Sequence, residues 1–267
     1  MNEQEREAKF RELALKKVVY RLPDMEGAQV RRDEAYRMTD DGALMMDIYT
    51  PRDMKDGDRV PVVVIALGFP DPKGFYRQMG WAVSWAQLIA ASGRAAVIYG
   101  TRDPADDIHA VIRHLRQDAV RLGVDPLQIG ILAASANVVV ALSALVRDRR
   151  LSCAALLCGF TFDLDGSTIV ADAAKEYGFA NTCAQKSVED LPANVPLFIV
   201  RAGREHFPGL NEAMDRFVAK ALALNLPVTF VNHHTGPHAF YLDDDSDASC
   251  EVIRQTLWFL QRNLSKP

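Results

Sequence analysis

No stretch of this sequence is apolar for long enough to cross a membrane, no segment is rich in lysine or arginine, and no two cysteines form a C-x-x-C pair. Each absence removes a class of protein. A membrane-spanning helix needs roughly 20 apolar residues in a row, so no membrane partner is expected. With a net charge of −4 and no basic block, nucleic acid has no electrostatic handle on the chain. Of the four cysteines, Cys153, Cys158, Cys183 and Cys250, the first two lie in a buried-looking strand, where small apolar packing is their expected role. Gly57, Gly68 and Gly74 make no phosphate-cradling fingerprint, and no nucleotide or other cofactor is expected. The opening residues are too charged for a signal peptide, which sets the expectation of a soluble cytoplasmic protein with reduced thiols.

What is present is a chain of 267 residues, 49% hydrophobic and 25% charged, enough for one large domain with a full core. Residues 1–29 read as an N-terminal helical extension, with Phe10, Leu13, Ala14 and Leu15 on its apolar face. It either lies on the domain or serves a homodimer. Residues 30–267 form the domain itself. Runs at 30–37 and 43–49, split by the turn signal Thr39-Asp40-Asp41-Gly42, predict an antiparallel edge. From Val60 onward, short apolar runs at 62–67, 95–99, 129–134, 154–158, 197–200 and 228–231 alternate with helical patterns at 81–91, 106–122, 136–147, 211–224 and 249–263. That alternation predicts an α/β fold with a mostly parallel central sheet and helices on both faces.

Two connections stand out. Residues 68–80 carry Phe69, Phe75 and Tyr76 and lead into Trp81, which puts aromatic side chains at the ligand edge of a parallel sheet. Residues 159–196 are longer than an ordinary loop and hold a helical piece at 169–177, so a lid insertion is expected over about 160–195. Phe75, Tyr76, Trp81 and Phe160 are the candidate substrate-binding residues.

Chemistry enters at Ser135, which joins the apolar run ending at Ala134 to the helical pattern that follows. A serine on a tight strand-to-helix turn presents its hydroxyl at the sheet edge, normally with glycine two residues before and after it. Here those positions hold Ala133 and Asn137. Two readings of Asn137 stand: its amide bonds a nearby backbone group and holds the loop around Gly68, or a slightly wider turn tolerates it. A serine hydroxyl needs a histidine to take its proton and a carboxylate to orient that histidine. Glu205 follows the run at 197–200, and His238 follows the run at 228–231, each where the required order of serine, acid and base places it. Asp163 is the alternative acid, and His206 is read as a neighbour of the site.

Gly203 to Phe207 resembles the Gly-x-Asp-His-Phe segment of dienelactone-hydrolase-like enzymes, and Gly236 to Phe240 resembles their Gly-His-x-Phe segment with Pro237 added. With the lead-in Asp47-Ile48-Tyr49-Thr50-Pro51, the likeness to the α/β-hydrolase superfamily covers about Tyr36 to Leu264. The sequence departs from dienelactone hydrolases in having Ser135 for cysteine and Glu205 for aspartate. The resemblance implies an α/β-hydrolase fold and an oxyanion hole made by the backbone N–H groups of Phe69 and Ala136. It implies a serine hydrolase acting on a small-molecule carboxylic ester or lactone. The alternatives are a peptidase-like acyl hydrolase and a ligand-binding relative without turnover. No metal is expected: His233, His234 and His238 have no partner at ligand spacing, and the acidic run from Asp243 to Asp247 lacks the glycine of a calcium loop.

Overall fold

The computed structural model describes Glu12 and residues 14–264. Most of the expected N-terminal extension, Phe10 and Leu13 included, lies outside the described residues. Eight strands form one sheet in the order β1-β2-β4-β3-β5-β6-β7-β8. They are β1 (Gln29–Thr39), β2 (Gly42–Thr50), β3 (Val60–Ile65), β4 (Ala95–Tyr99), β5 (Val124–Ala134), β6 (Cys153–Leu157), β7 (Leu197–Arg204) and β8 (Val228–Pro237). β2 pairs antiparallel with both β1 and β4, and every pairing from β4 to β8 is parallel. The sheet is therefore mostly parallel, with the hairpin expected from Asp40 and Gly42 at one edge.

The parallel strands are joined by α1 (Gly80–Ala91), α2 (Pro104–Gln117), α3 (Val138–Arg147), α4 (Ile169–Tyr177) and α5 (Leu210–Ala223), and α6 (Asp247–Asn263) closes the chain. Every residue of β4 and β6 is buried. Alternate side chains of a strand point to opposite faces, so burial at every position means cover on both faces of the sheet. This is the α/β-hydrolase arrangement.

Several boundaries move for local physical reasons. The helix expected over 106–122 is interrupted at Asp118, whose φ of −104° and ψ of 20° leave the helical region. β7 and β8 run beyond their apolar cores, to Arg204 and Pro237, because their polar ends remain paired to one another. In the segment between β6 and β7, Phe160 stacks on Phe179 with centroids 5.4 Å apart, and the Ala180 N–H donates to the Gly68 carbonyl at 2.8 Å. This segment, expected as a lid, contacts the loop that follows β3 at Gly68 and Phe69.

Candidate active site

A parallel sheet places the ends of its strands along one edge, and the candidate residues follow the carboxyl ends of β3, β5, β7 and β8. Ser135 leaves β5 at φ +56° and opens a single 3₁₀ turn before α3. The left-handed backbone turns the chain sharply from strand to helix. Two close approaches make room for it. A Cβ on Gly159 would lie 2.4 Å from the Ser135 carbonyl oxygen, and one on Gly68 would lie 2.8 Å from the Ala136 carbonyl oxygen. At both positions only hydrogen fits.

Register brings Glu205 and His238 together. In the β7–β8 pair Arg204 stands opposite Pro237, so the next residue on each parallel strand, Glu205 and His238, emerge side by side. A Cβ on Gly203 would sit 2.2 Å from the His234 carbonyl oxygen, so glycine there is what lets the two strands close up. Glu205 Oε2 lies 2.6 Å from His238 Nδ1, and His238 Nε2 lies 2.9 Å from Ser135 Oγ. A carboxylate on Nδ1 fixes the neutral imidazole with its proton there, leaving Nε2 to accept the serine hydroxyl proton. Glu205 Oε1 accepts the N–H groups of His206 and Phe207 at 2.8 and 2.9 Å. Burial alone would raise the Glu205 pKa. The hydrogen bond and charge of His238, with the two backbone donors, outweigh burial and hold the carboxyl below the usual glutamate range.

β8 is itself anchored at His233. His233, 3% exposed, lies 2.7 Å from Ser249 Oγ, and that hydroxyl donates to Asp244 at 2.7 Å. With its proton given to Asp244, Ser249 accepts from His233. This chain ties β8, before His238, and Asp244, after it, to Ser249 of α6.

Asn137 also belongs to the site. Its Oδ1 accepts the Gly68 N–H at 2.7 Å, so the first of the two readings of this residue is the one realised. The amide fastens the turn that carries Ala136 to the loop that carries Phe69. Asp163, the alternative acid, instead accepts the Val170 and Ala171 N–H groups at 2.8 and 2.9 Å and caps α4.

Ser135, Ala136 and His238 open onto a cavity of about 340 Å³, walled among the described residues by Phe69, Tyr76, Trp81, Phe207, Tyr241 and Leu242. Its rim is charged: Lys16 bridges Asp243 at 2.7 Å and Glu12 at 3.3 Å. Two of the four expected substrate-binding residues, Phe75 and Phe160, are not among its lining residues. The Asp71 carboxylate accepts the N–H groups of Phe75 and Tyr76, which coils this loop so that Tyr76 lines the cavity while Phe75 is 52% exposed. Phe160 is 2% exposed, closed in between Phe179 and Phe207. Tyr241 and Leu242 follow directly on the Gly236 to Phe240 segment, which was the signal for them. Nothing in the sequence pointed to Glu12 or Lys16.

One other cluster has ligand-type donors. Glu34, His114 and Asp118 come within reach of a common ion, but Arg121 donates to Glu34 at 2.6 and 2.9 Å and to Asp118 at 2.9 Å, supplying the positive charge itself. No helix among the described residues is long and apolar enough to cross a membrane.

No protein-family model matches the sequence, and no curated protein does. Solved structures do. Esterase 2 of Thermogutta terrifontis, phosphoramylated by tabun, is similar over 91% of this chain and 98% of its own, with TM-score 0.65 and 21% identity. A bacterial heroin esterase matches over 93% of this chain and 88% of its own, with TM-score 0.68 and 15% identity. A variant of the esterase rPPE matches over 100% and 91%, with TM-score 0.69 and 15% identity. At these identities the likeness is one of fold.

Proposed function

We propose that this chain is a serine hydrolase that cleaves a small carboxylic ester or lactone through an acyl-enzyme. The observation that carries this reading is the relay Ser135–His238–Glu205, with contacts of 2.9 and 2.6 Å, opening onto an apolar-walled cavity. In this reading Ser135 Oγ attacks the carbonyl carbon while His238 Nε2 takes its proton, and Glu205 stabilises the resulting imidazolium. The tetrahedral oxyanion sits between the N–H groups of Ala136 and Phe69, held at their spacing by Asn137. His238 then protonates the leaving alkoxide, and a water activated by the same nitrogen releases the acid. Fold neighbours described as esterases, one of them modified by an organophosphorus agent, support the same chemistry here.

The test is a fluorophosphonate probe followed by peptide mass spectrometry, with a panel of p-nitrophenyl esters and lactones on the same sample. The expected result is a single adduct on Ser135 and fastest turnover of short acyl chains, the size a cavity of about 340 Å³ admits. A folded sample that takes no label and turns over no ester would instead be a ligand-binding relative.

A further inference from the structure

We infer that the groove where the carboxyl ends of α2 and α3 meet is a binding site for a small polyphosphate-type anion, built from Arg113, Arg116, Arg147, Arg149 and Arg150 around His109. The groove is a hollow of about 680 Å³ whose lining includes these five arginines and a single carboxylate, Asp148. It continues into a second hollow of about 470 Å³ that shares His109, Arg113 and Arg147 with it.

Five guanidinium groups this close repel one another unless something answers their charge. Asp148 pairs with Arg116 and with Arg150, and Asp106 pairs with Arg147 at 3.1 Å. Among the described residues Arg113 and Arg149 have no carboxylate partner. The plainer account is that basic residues gather here to answer the negative ends of two helices. Each helix end is worth about half a charge, so with Asp106 and Asp148 counted as well, about two positive charges remain unanswered. They remain so in a chain whose net charge is −4.

Hydrogen bonding points the same way. Arg116 Nη2 and His109 Nε2 are buried and make no hydrogen bond to any described residue. The Arg116 side chain is 15% exposed, and a buried donor without an acceptor is costly. Both atoms lie below the accessible surface, so an anion in the groove meets them only when the two side chains turn outward. The cations are all arginine, whose planar fork matches the oxygens of phosphate in pairs, and lysine is missing from the lining. Because three of the five arginines already share carboxylates, one phosphate finds few free donors, whereas a linked series reaches Arg113 and Arg149 together.

The groove is remote from Ser135. The nucleophile precedes the first turn of α3, and Arg147 ends that ten-residue helix, about 15 Å along its axis. The proposal therefore stands apart from the esterase reading and is tested without it.

The experiment is calorimetry on the full chain at low ionic strength with inorganic tripolyphosphate, orthophosphate and citrate, repeated on the double variant Arg113→Ala/Arg149→Ala. Neither substituted arginine has an ion pair to lose and their removal relieves repulsion, so thermal melting should be at or above the parent's. Tripolyphosphate is expected to bind one to one, with orthophosphate and citrate weaker, and the double variant should lose about tenfold in affinity. An independent readout is the His109 ring by NMR. Burial, and then the Arg147 charge, hold its pKa down at about 4, and a bound anion should raise it. No saturable binding to folded protein, equal binding of citrate, or unchanged affinity in the double variant would each overturn the proposal.

Discussion

Asn137 Oδ1 accepts the Gly68 N–H at 2.7 Å, joining the serine turn to the loop after β3. The bond spans 69 residues of sequence and sits beside both proposed oxyanion donors. Replacing Asn137 with glycine would restore the usual residue of such turns and remove the bond. We expect Asn137→Gly to lower kcat about tenfold, close to 1.4 kcal/mol in the barrier, with KM nearly unchanged. Steady-state kinetics on a short p-nitrophenyl ester decide it, and equal or faster turnover at unchanged Tm would show the bond to be idle.

The two candidate acids should separate cleanly. Glu205→Gln removes the charge that steadies the imidazolium and favours the wrong ring tautomer. In a serine-protease triad the equivalent change costs about 10⁴ in kcat. Asp163→Asn should leave kcat within a few-fold and cost stability instead, about 1 kcal/mol as a weakened helix cap. Reversed effects would move the acid to the loop after β6.

Backbone strain at Ser135 predicts a stability difference. A non-glycine residue at the +56° φ of Ser135 sits about 1–2 kcal/mol above its relaxed backbone. Both Ser135→Ala and Ser135→Gly should be inactive, but the glycine variant should be the more stable of the two despite glycine's looser unfolded chain. Chemical denaturation of the pair measures it; an alanine variant of equal or greater stability would mean that the turn stores no strain.

The lowered Glu205 pKa carries a pH signature. A carboxyl depressed in the folded state contributes stability above the ordinary glutamate value of 4.5, and that contribution is lost as pH falls through the lower folded value. Wild type should therefore melt above Glu205→Gln at neutral pH, with the gap closing as the pH drops below about 4.5. A gap that stays constant down to pH 3 would mean that the carboxylate gains nothing from its partners.

Apolar periodicity made the sheet legible: the run at 95–99 is β4 residue for residue, and the runs at 129–134 and 197–200 lie wholly within β5 and β7. It failed where pairing is held by backbone alone. The stretch from Asn232 to Pro237 has no apolar alternation, yet its register against β7 is what sets Glu205 beside His238. That Ser135, Glu205 and His238 come together could be read because each follows a strand. The cavity wall could not, since whether Phe75 or Tyr76 faces inward depends on two hydrogen bonds to Asp71. Lys16 and Asp243 are 227 positions apart, and no local pattern announces a pair at that distance.

Phe69, Phe179, Phe160, Phe207 and His238 form an unbroken series of ring contacts, with centroid separations of 6.2, 5.4, 6.5 and 4.6 Å. The first ring belongs to the loop after β3 and the last to the residue after β8, so the aromatic floor spans the site from one end to the other. This divides the molecule for anyone who would remodel its selectivity. Tyr76 is the half-buried wall open to exchange for a different guest, whereas Trp81, Tyr241 and Leu242 belong to the buried core and carry a packing cost when replaced. Phe160 and Phe179 join the loop after β3 to Phe207 and through it to His238, so trimming either to gain room is expected to loosen the spacing between Phe69 and His238.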